Sequence, residues 1–357
     1  MKKYRYLLWL LLLCLTLSAC TGTPVREHSQ MPEEMQNVTS KEKLKVHIID
    51  VGQGDSTFVE LPSGDTLLID AGEREYGERV ISYIESLGYQ KVDYLVATHP
   101  HSDHIGGLQA VIESFDIGKV FMPKKSSTTS TFKKLLEAVK NKGLGIETAK
   151  AGKVIATDTD LSITILSPVE EDYKDEMNLY SAVVKITYGK MRFLFMGDAE
   201  TENEEQMQDV SAEFIRVGHH GSRTSSGEEF VRRVGAQIAV VSVGKDNSYE
   251  LPKEEILSRW QKAGATIYRT DKSGSLVFES DGESIIAGDA VYTETEPKES
   301  PSTTKWMLNT ASKKIHYPDC SAALTIKAQN KSESDKSIAE LEAEGYTVCG
   351  TCDPVEG

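Results

Sequence analysis

Six consecutive residues, His99-Pro100-His101-Ser102-Asp103-His104, carry four side chains able to ligate a metal ion. Imidazole and carboxylate suit zinc, and also iron or manganese. On an extended backbone, residues two apart project to the same side, so His99 and His101 could hold one ion. Asp103 and His104, at the turn into a predicted helix beyond Ile105-Gly106-Gly107, could hold a neighbouring one. The competing reading is a polar loop whose histidines bind nothing, and the density of ligands weighs against it.

The run follows an apolar stretch, Asp93 to Thr98, that reads as a buried strand. The same form recurs three times. Leu67-Leu68-Ile69 leads into Asp70-Ala71-Gly72, Arg192 to Met196 into Gly197-Asp198, and Phe214 to Val217 into Gly218-His219-His220-Gly221-Ser222. A strand-end Asp is ordinarily a turn former, but four strands delivering Asp or His together place a site along one edge of the fold. Asp198 at such a strand mouth could bridge two ions. Asp50-Val51-Gly52-Gln53-Gly54-Asp55 reads as a tight turn whose glycines permit positive φ, with a functional role as the alternative.

Further strands are predicted at Leu44–Val51, Thr57–Leu61, Lys119–Met122, Leu161–Leu166, Ala182–Tyr188, Ile238–Val243, Thr266–Tyr268 and Ser275–Glu279. Helices are predicted at Gly77–Leu87, Phe132–Lys140, Glu200–Gln208, Glu228–Val234 and Lys253–Lys262, with Ser226-Gly227-Glu228-Glu229 resembling a capping box. Many short strands with helices between pairs imply an α/β fold of two sheets sandwiched by outer helices, not a doubly wound sheet.

The formal net charge of −15 weighs against a broad basic surface for tracking nucleic acid. At the N-terminus, Lys2, Lys3 and Arg5 precede an apolar run from Leu7 to Leu17, too short for a spanning helix of roughly 20 residues. The run ends in Leu17-Ser18-Ala19-Cys20, which resembles the lipobox of a bacterial lipoprotein signal peptide. That resemblance implies lipid on Cys20 and an extracytoplasmic protein anchored to the bacterial cell membrane. An ordinary secretory signal with a chance cysteine is the alternative. The expected organisation is a signal peptide at 1–20, a flexible tether at 21–43, a hydrolase domain at 44–290, a Pro/Ser/Thr/Glu-rich linker at 291–305 and a small metal-binding module at 306–357.

The His-x-His-x-Asp-His run, Gly197-Asp198, the later His pair and the Asp70 turn resemble the metallo-β-lactamase superfamily over Leu44 to Ala290. Asp50–Asp55, Thr98–Gly107 and His219-His220-Gly221-Ser222 look more specifically like the hydrolase domain of the ComEC competence proteins. The resemblance implies an αββα sandwich holding two divalent ions, zinc or manganese. His99 and His101 would serve the first ion, Asp103, His104 and His220 the second, and Asp198 would bridge. His219 would hydrogen-bond the substrate or leaving group, although the roles of His219 and His220 could be exchanged. Asp103, Asp198 and His219 would be the catalytic residues, and Asp70 would support the ligand loop and a histidine tautomer from behind. The superfamily usually supplies one more His, from the strand before Asp198. Here Met177-Asn178-Leu179-Tyr180-Ser181 has none. Asn178 would take that place as a weaker neutral ligand, or would only cap a strand.

Two cations roughly 3.5–4 Å apart lower the pKa of a shared water and clamp substrate oxygens, which suits phosphodiesters. Ser222 and the amides around Gly221 could contact a phosphoryl oxygen. The expected activity is that of a surface-anchored phosphodiesterase or nuclease of ComEC-like type acting on DNA, with no nucleotide cofactor; a transport role is not carried over. The alternatives are a phosphorylcholine-type esterase on cell-wall polymers, a less favoured β-lactam hydrolase, and a non-catalytic surface binding module.

Near the C-terminus, His316-Tyr317-Pro318-Asp319-Cys320 and Cys349-Gly350-Thr351-Cys352 supply one imidazole and three thiolates, a structural zinc set. A module this short buries little core, so the ion would contribute much of its folding free energy. It resembles the small metal-binding domain of the Ada repair protein, in which four cysteines bind zinc and the first accepts a methyl group. His316 stands in that first position, so methyl transfer is not expected. A structural role, or docking to nucleic acid or the cell surface, is the expectation. The alternative is a Cys349–Cys352 disulfide with Cys320 left free.

Overall fold

The computed structural model describes residues 43–287, 306–317, 320–324 and 326–349. Residues 1–42 with Cys20, the expected linker, and Cys352 lie outside the described residues. Among those described, no helix is long and apolar enough to cross a membrane.

The chain first lays down β1 (Leu44–Ile48), β2 (Thr57–Glu60), β3 (Thr66–Ile69), β4 (Lys91–Val96), β5 (Asp116–Met122) and β6 (Ile146–Thr148). It then builds a second sheet from β7 (Val154–Thr157), β8 (Leu161–Ser167), β9 (Val183–Tyr188), β10 (Met191–Phe195), β11 (Phe214–Arg216), β12 (Ile238–Val241) and β13 (Thr266–Arg269). β14 (Leu276–Ser280) and β15 (Ile285–Ala287) return to the first, giving the orders β15-β14-β1-β2-β3-β4-β5-β6 and β13-β12-β11-β10-β9-β8-β7. Alternation drives the packing. In β8, Leu161, Ile163 and Ile165 are buried while the residues between them are less so. They meet Leu44, Phe193, Phe214 and others in a core between the sheets.

Helices cover both outer faces. α1 (Gly77–Ser86), the short α2 (Ser102–Ile105), α3 (Leu108–Ser114) and α4 (Ser130–Asn141) lie with the first sheet, where Val80, Ile84, Leu108 and Leu135 join its outer core. α5 (Thr201–Gln206), α6 (Glu228–Val234), α7 (Glu254–Lys262) and the single-turn α8 (Thr270–Ser273) belong to the second, where Phe230, Ile256 and Trp260 pack. The architecture is the αββα sandwich expected from the sequence. Strands β3 to β6 are parallel, and so are β10 to β13. Their carboxyl ends carry Asp70, His99, Asp198 and the His219-His220 pair.

Three strands of the sandwich escape the sequence pattern: β6, β7 and β15. All three are edge strands, and Ile146, Val154 and Ile286 leave 39%, 48% and 55% of their surface exposed. Strands lacking a fully buried face show no clear apolar alternation. The predicted capping box at Ser226 is also absent. Gly227 caps α6 without a side-chain bond. Ser226 has φ +59°, and its hydroxyl accepts from the buried Trp260 indole instead (3.2 Å). Glu204 of α5 takes up the amides of Ser226 (2.5 Å) and Gly227 (2.8 Å), so a distant carboxylate does the work assigned to the local motif.

Residues from Trp306 onward form a separate four-stranded sheet, β18-β16-β17-β19, from β16 (Trp306–Asn309), β17 (Lys314–His316), β18 (Lys331–Ser334) and β19 (Thr347–Val348). α9 (Ser321–Leu324) and α10 (Ile338–Ala343) accompany it, the latter with a reciprocal Ser337–Glu340 cap. Its apolar core is small, built around Trp306, Leu308, Ile315, Leu341 and Tyr346.

A buried polar cluster ties α1 to the first strands. Glu60 lies 2.9 Å from His47 Nε2 and accepts from the Tyr89 hydroxyl at 2.8 Å, while His47 Nδ1 lies 3.0 Å from the Tyr83 hydroxyl. Burial alone would raise the pKa of Glu60, but the bonds from His47 and Tyr89 and the nearby Lys45 bring it down to about 2. The stability this carboxylate contributes is present above its ordinary value of 4.5 and is lost as pH falls through about 2. Glu60→Gln is therefore expected to cost about 1–3 kcal/mol at pH 7. Denaturant melts should show that gap narrowing as the pH falls; a gap independent of pH would refute the assignment.

Candidate metal centre

The site is assembled from the ends of four strands, two from each sheet. After β3, Asp70 turns with φ +57° and is fully buried. Its Oδ1 accepts from the Thr98 amide (2.8 Å), and its Oδ2 from the Thr98 hydroxyl (2.6 Å) and His104 Nδ1 (2.8 Å). An ionised carboxylate only accepts, so His104 carries its proton on Nδ1 and keeps the Nε2 lone pair. That Nε2 is buried without a hydrogen-bond partner, 3.2 Å from Asp198 Oδ1 and 3.7 Å from Asp103 Oδ2.

His220 is oriented by the same logic. Its Nδ1 lies 2.9 Å from the Ser242 carbonyl and 3.1 Å from Arg216 Nη2. One nitrogen cannot donate to the first and accept from the second. Arg216 already has Asp55 and the Gly197 carbonyl (2.7 Å), so the imidazole proton goes to Ser242. The free Nε2 then faces Asp103 Oδ2 at 3.3 Å and Asp198 Oδ1 at 3.6 Å. Ligand atoms of Asp103, His104, Asp198 and His220 all lie within 4.8 Å of one another.

A second group meets on the other oxygen of Asp198. His99 Nε2 lies 3.8 Å from Asp198 Oδ2 and 3.0 Å from His101 Nδ1, while His99 Nδ1 is 3.1 Å from the Thr98 hydroxyl. These three residues form a separate ligand cluster. Asp198 thus offers one oxygen to each group, and its Oδ1 is buried without a hydrogen-bond partner. Imidazole nitrogens and carboxylate oxygens converging in this way fit a pair of divalent cations of the zinc or manganese type.

His219 stands outside both groups. Its Nδ1 lies 2.8 Å from the Thr224 hydroxyl and 3.2 Å from Glu200, and its Nε2 is 3.8 Å from Asp198 Oδ2. Burial opposes its protonation, yet the Glu200 bond and the charges of Asp198 and Glu200 outweigh it and raise its pKa. Asn178 lies in a turn (Met177–Tyr180) before β9. Its amide nitrogen donates to Glu200 at 3.0 Å, leaving its Oδ1 buried without a hydrogen-bond partner. Burial drives His99 far towards its neutral form.

Arg216 is the residue of the site that sequence reasoning missed, and Asp55 is one that it read first as part of a turn. Asp55 belongs to the stretch read as a turn; its carboxylate pairs with Arg216 and lies 3.5 Å from His220 Nδ1 and 3.8 Å from His104 Nδ1. Arg216 is fully buried, and burial lowers its pKa to about 9, so it stays charged at neutral pH. The available signal was an arginine inside the apolar strand Phe214-Ile215-Arg216-Val217, because a buried guanidinium needs a partner. The turn reading is also right: Gly54 has φ +157°, and a Cβ there would meet the Asp103 carbonyl at 2.4 Å. The Asp55 amide donates to that same carbonyl at 3.1 Å, pinning the ligand loop.

The ligands open on a cavity of about 500 Å³, also lined by Gln53, Glu73, Glu75, Tyr76, Tyr249 and Leu251. Ser222, expected to contact a phosphoryl oxygen, is not among the lining residues, and its hydroxyl accepts from the Thr224 amide (3.3 Å). In the C-terminal sheet, His316, Cys320 and Cys349 are buried with ligand atoms within 4.8 Å of one another, and neither ring nitrogen of His316 has a hydrogen-bond partner. The fourth expected ligand, Cys352, lies outside the described residues.

A two-sheet sandwich with a His/Asp centre where strands of both sheets end defines the class. The chain belongs to the metallo-β-lactamase superfamily, which residues 49–245 match. It is 32% identical over 255 residues to ComE operon protein 3 of Bacillus subtilis, covering 66% of this chain and 33% of that protein. It is 25% identical over 244 residues to Recombination protein 2 of Haemophilus influenzae (66% and 29%) and 28% identical over 239 residues to Competence protein ComA of Neisseria gonorrhoeae (65% and 32%). The chain spans about a third of the length of these relatives.

Two outcomes test this construction. Asp70→Asn should weaken binding of the ion nearest His104 by about 10–100-fold, read by competition with a chromogenic chelator. Asp55→Asn leaves Arg216 buried without its counter-charge and should cost about 3–5 kcal/mol in urea unfolding; a neutral effect would remove the pair from the framework of the site.

Proposed function

We propose that this protein is a dinuclear metal-dependent phosphodiesterase acting on DNA, held at the outer face of the bacterial cell membrane by lipid on Cys20. The observation that carries the reading is the division of Asp198, with one oxygen in each of two His/Asp ligand groups. His99 and His101 would hold the first ion, with the Asn178 carbonyl as a further candidate ligand; Asp103, His104 and His220 would hold the second. Such a pair acidifies a water and offsets charge on the attacking and leaving oxygens of a phosphodiester. The chain's own part is orientation. Asp70 and Ser242 fix the tautomers of His104 and His220, Arg216 and Asp55 hold the loops from behind, and His219 stands beside Asp198 where it can hydrogen-bond a leaving oxygen. The relatives named for recombination and competence support DNA as the substrate class. In the C-terminal sheet, His316, Cys320, Cys349 and Cys352 would hold one structural zinc ion, supported by the three buried ligands that meet there.

The test uses the full chain purified in detergent, with metal content measured first. Zinc- or manganese-loaded protein is expected to hydrolyse bis(p-nitrophenyl) phosphate and single-stranded DNA, and Asp198→Asn to lower turnover by at least about 10²-fold, the scale of losing one charge-stabilising group. No turnover with either metal, or full activity in the variant, overturns the reading. Release of choline from a phosphorylcholine ester without DNA cleavage would replace DNA with wall polymer as substrate. For the anchor, Cys20→Ala is expected to move the protein from the membrane fraction to the soluble one.

A further inference from the structure

Resting on the phosphodiesterase reading, we propose that Tyr249 is a stacking platform that receives an unpaired nucleobase next to the scissile phosphate, making the enzyme selective for single-stranded over duplex DNA. Tyr249 lines the same cavity as Asp103, Asp198, His219 and His220. It leaves 65% of its surface in water, the highest value among the exposed large apolar or aromatic residues described. An aromatic ring held out at the mouth of a reactive cleft suits contact with a second flat ring.

The ring is carried by a braced loop. The Asn247 amide nitrogen donates to the carbonyls of Gly244 (3.0 Å) and Leu251 (2.8 Å), and its oxygen accepts from the Leu251 amide (3.0 Å). Lys253 Nζ donates to the Tyr249 carbonyl at 3.0 Å, and the Lys253 amide to the Gly221 carbonyl at 3.0 Å. The last bond ties the loop to the turn that delivers His220. At the other end, the Gly244 amide donates to the Gln53 side chain at 3.2 Å. Tyr249 is thus presented on a backbone referenced to the metal ligands, so a base stacked on it loses little free energy to ordering the loop.

The uncharged ring chooses the base over the backbone as the group that meets this rim, since a flat aromatic face packs on another flat ring and offers nothing to a phosphate. Stacking tolerates any base, because each has a π face. A paired base inside a duplex has both faces covered and cannot use the platform.

The experiment compares full-length, metal-loaded wild type, Tyr249→Ala and Tyr249→Phe on a short single-stranded oligonucleotide, an abasic oligomer of the same length, the corresponding duplex and a choline phosphodiester. In wild type, the single strand should be preferred over both the abasic oligomer and the duplex. Tyr249→Ala should lower the kcat/KM ratio of base-bearing to abasic substrate about tenfold, mainly through KM, and Tyr249→Phe should restore it. An unchanged ratio, a loss confined to kcat, or a Tyr249-dependent preference for the choline ester overturns the proposal while phosphodiester hydrolysis stands. Absence of hydrolysis on every substrate overturns the parent reading, and this one with it.

Discussion

Four carboxylates, from Asp55, Asp70, Asp103 and Asp198, converge at the mouth of this sandwich, and three of them are buried beyond nine-tenths. Ionised carboxylates cannot be buried side by side without compensation. The structure compensates two of them from within. Asp55 is matched by the buried guanidinium of Arg216. Asp70 is satisfied by the amide and hydroxyl of Thr98 and by the ring of His104. Asp103 and Asp198 face the free nitrogens of His104 and His220 instead. That asymmetry divides the cluster into a supporting layer, which holds its own charge balance, and an outer layer whose ligand atoms are placed to hold metal ions.

The supporting layer also sets direction. A histidine ligand is useful only when its proton sits on the nitrogen turned away from the ion. Asp70 does this for His104, and the Ser242 carbonyl does it for His220. Backbone strain accompanies the site. Asp70, His219 and His220 all adopt positive φ, at +57°, +45° and +51°, conformations that cost L-residues free energy and persist only where the surroundings enforce them. The Arg216–Asp55 pair, the Gly197 carbonyl and the Ser225 hydroxyl, which donates to the Gly218 carbonyl at 2.8 Å, supply that enforcement.

Legibility from sequence follows burial and locality. The His99–His104 run and the strand-end positions of Asp70, Asp198 and His220 could be read because ligand type and strand termination are local signals. The interior strands could be read because their apolar residues alternate. β6, β7 and β15 could not, since edge strands have no fully buried face to pattern. The Ser226 capping box misled for the opposite reason: the local pattern is present, but Glu204 and Trp260, neither of them near in sequence, take the hydrogen bonds that it would have made.

By itself, the sequence determined the fold class, the ligand types and the edge on which they gather. These depend on residue chemistry and on periodicity within a few positions. Only the tertiary structure decided how Asp198 divides its oxygens between two groups, that His220 rather than His219 joins the quartet with Asp103 and His104, and that Asp55 pairs with Arg216 across 161 residues of chain. Each of those outcomes is a distance between atoms on different sheets. Such distances are set by how the sandwich closes, and no local stretch of sequence carries them.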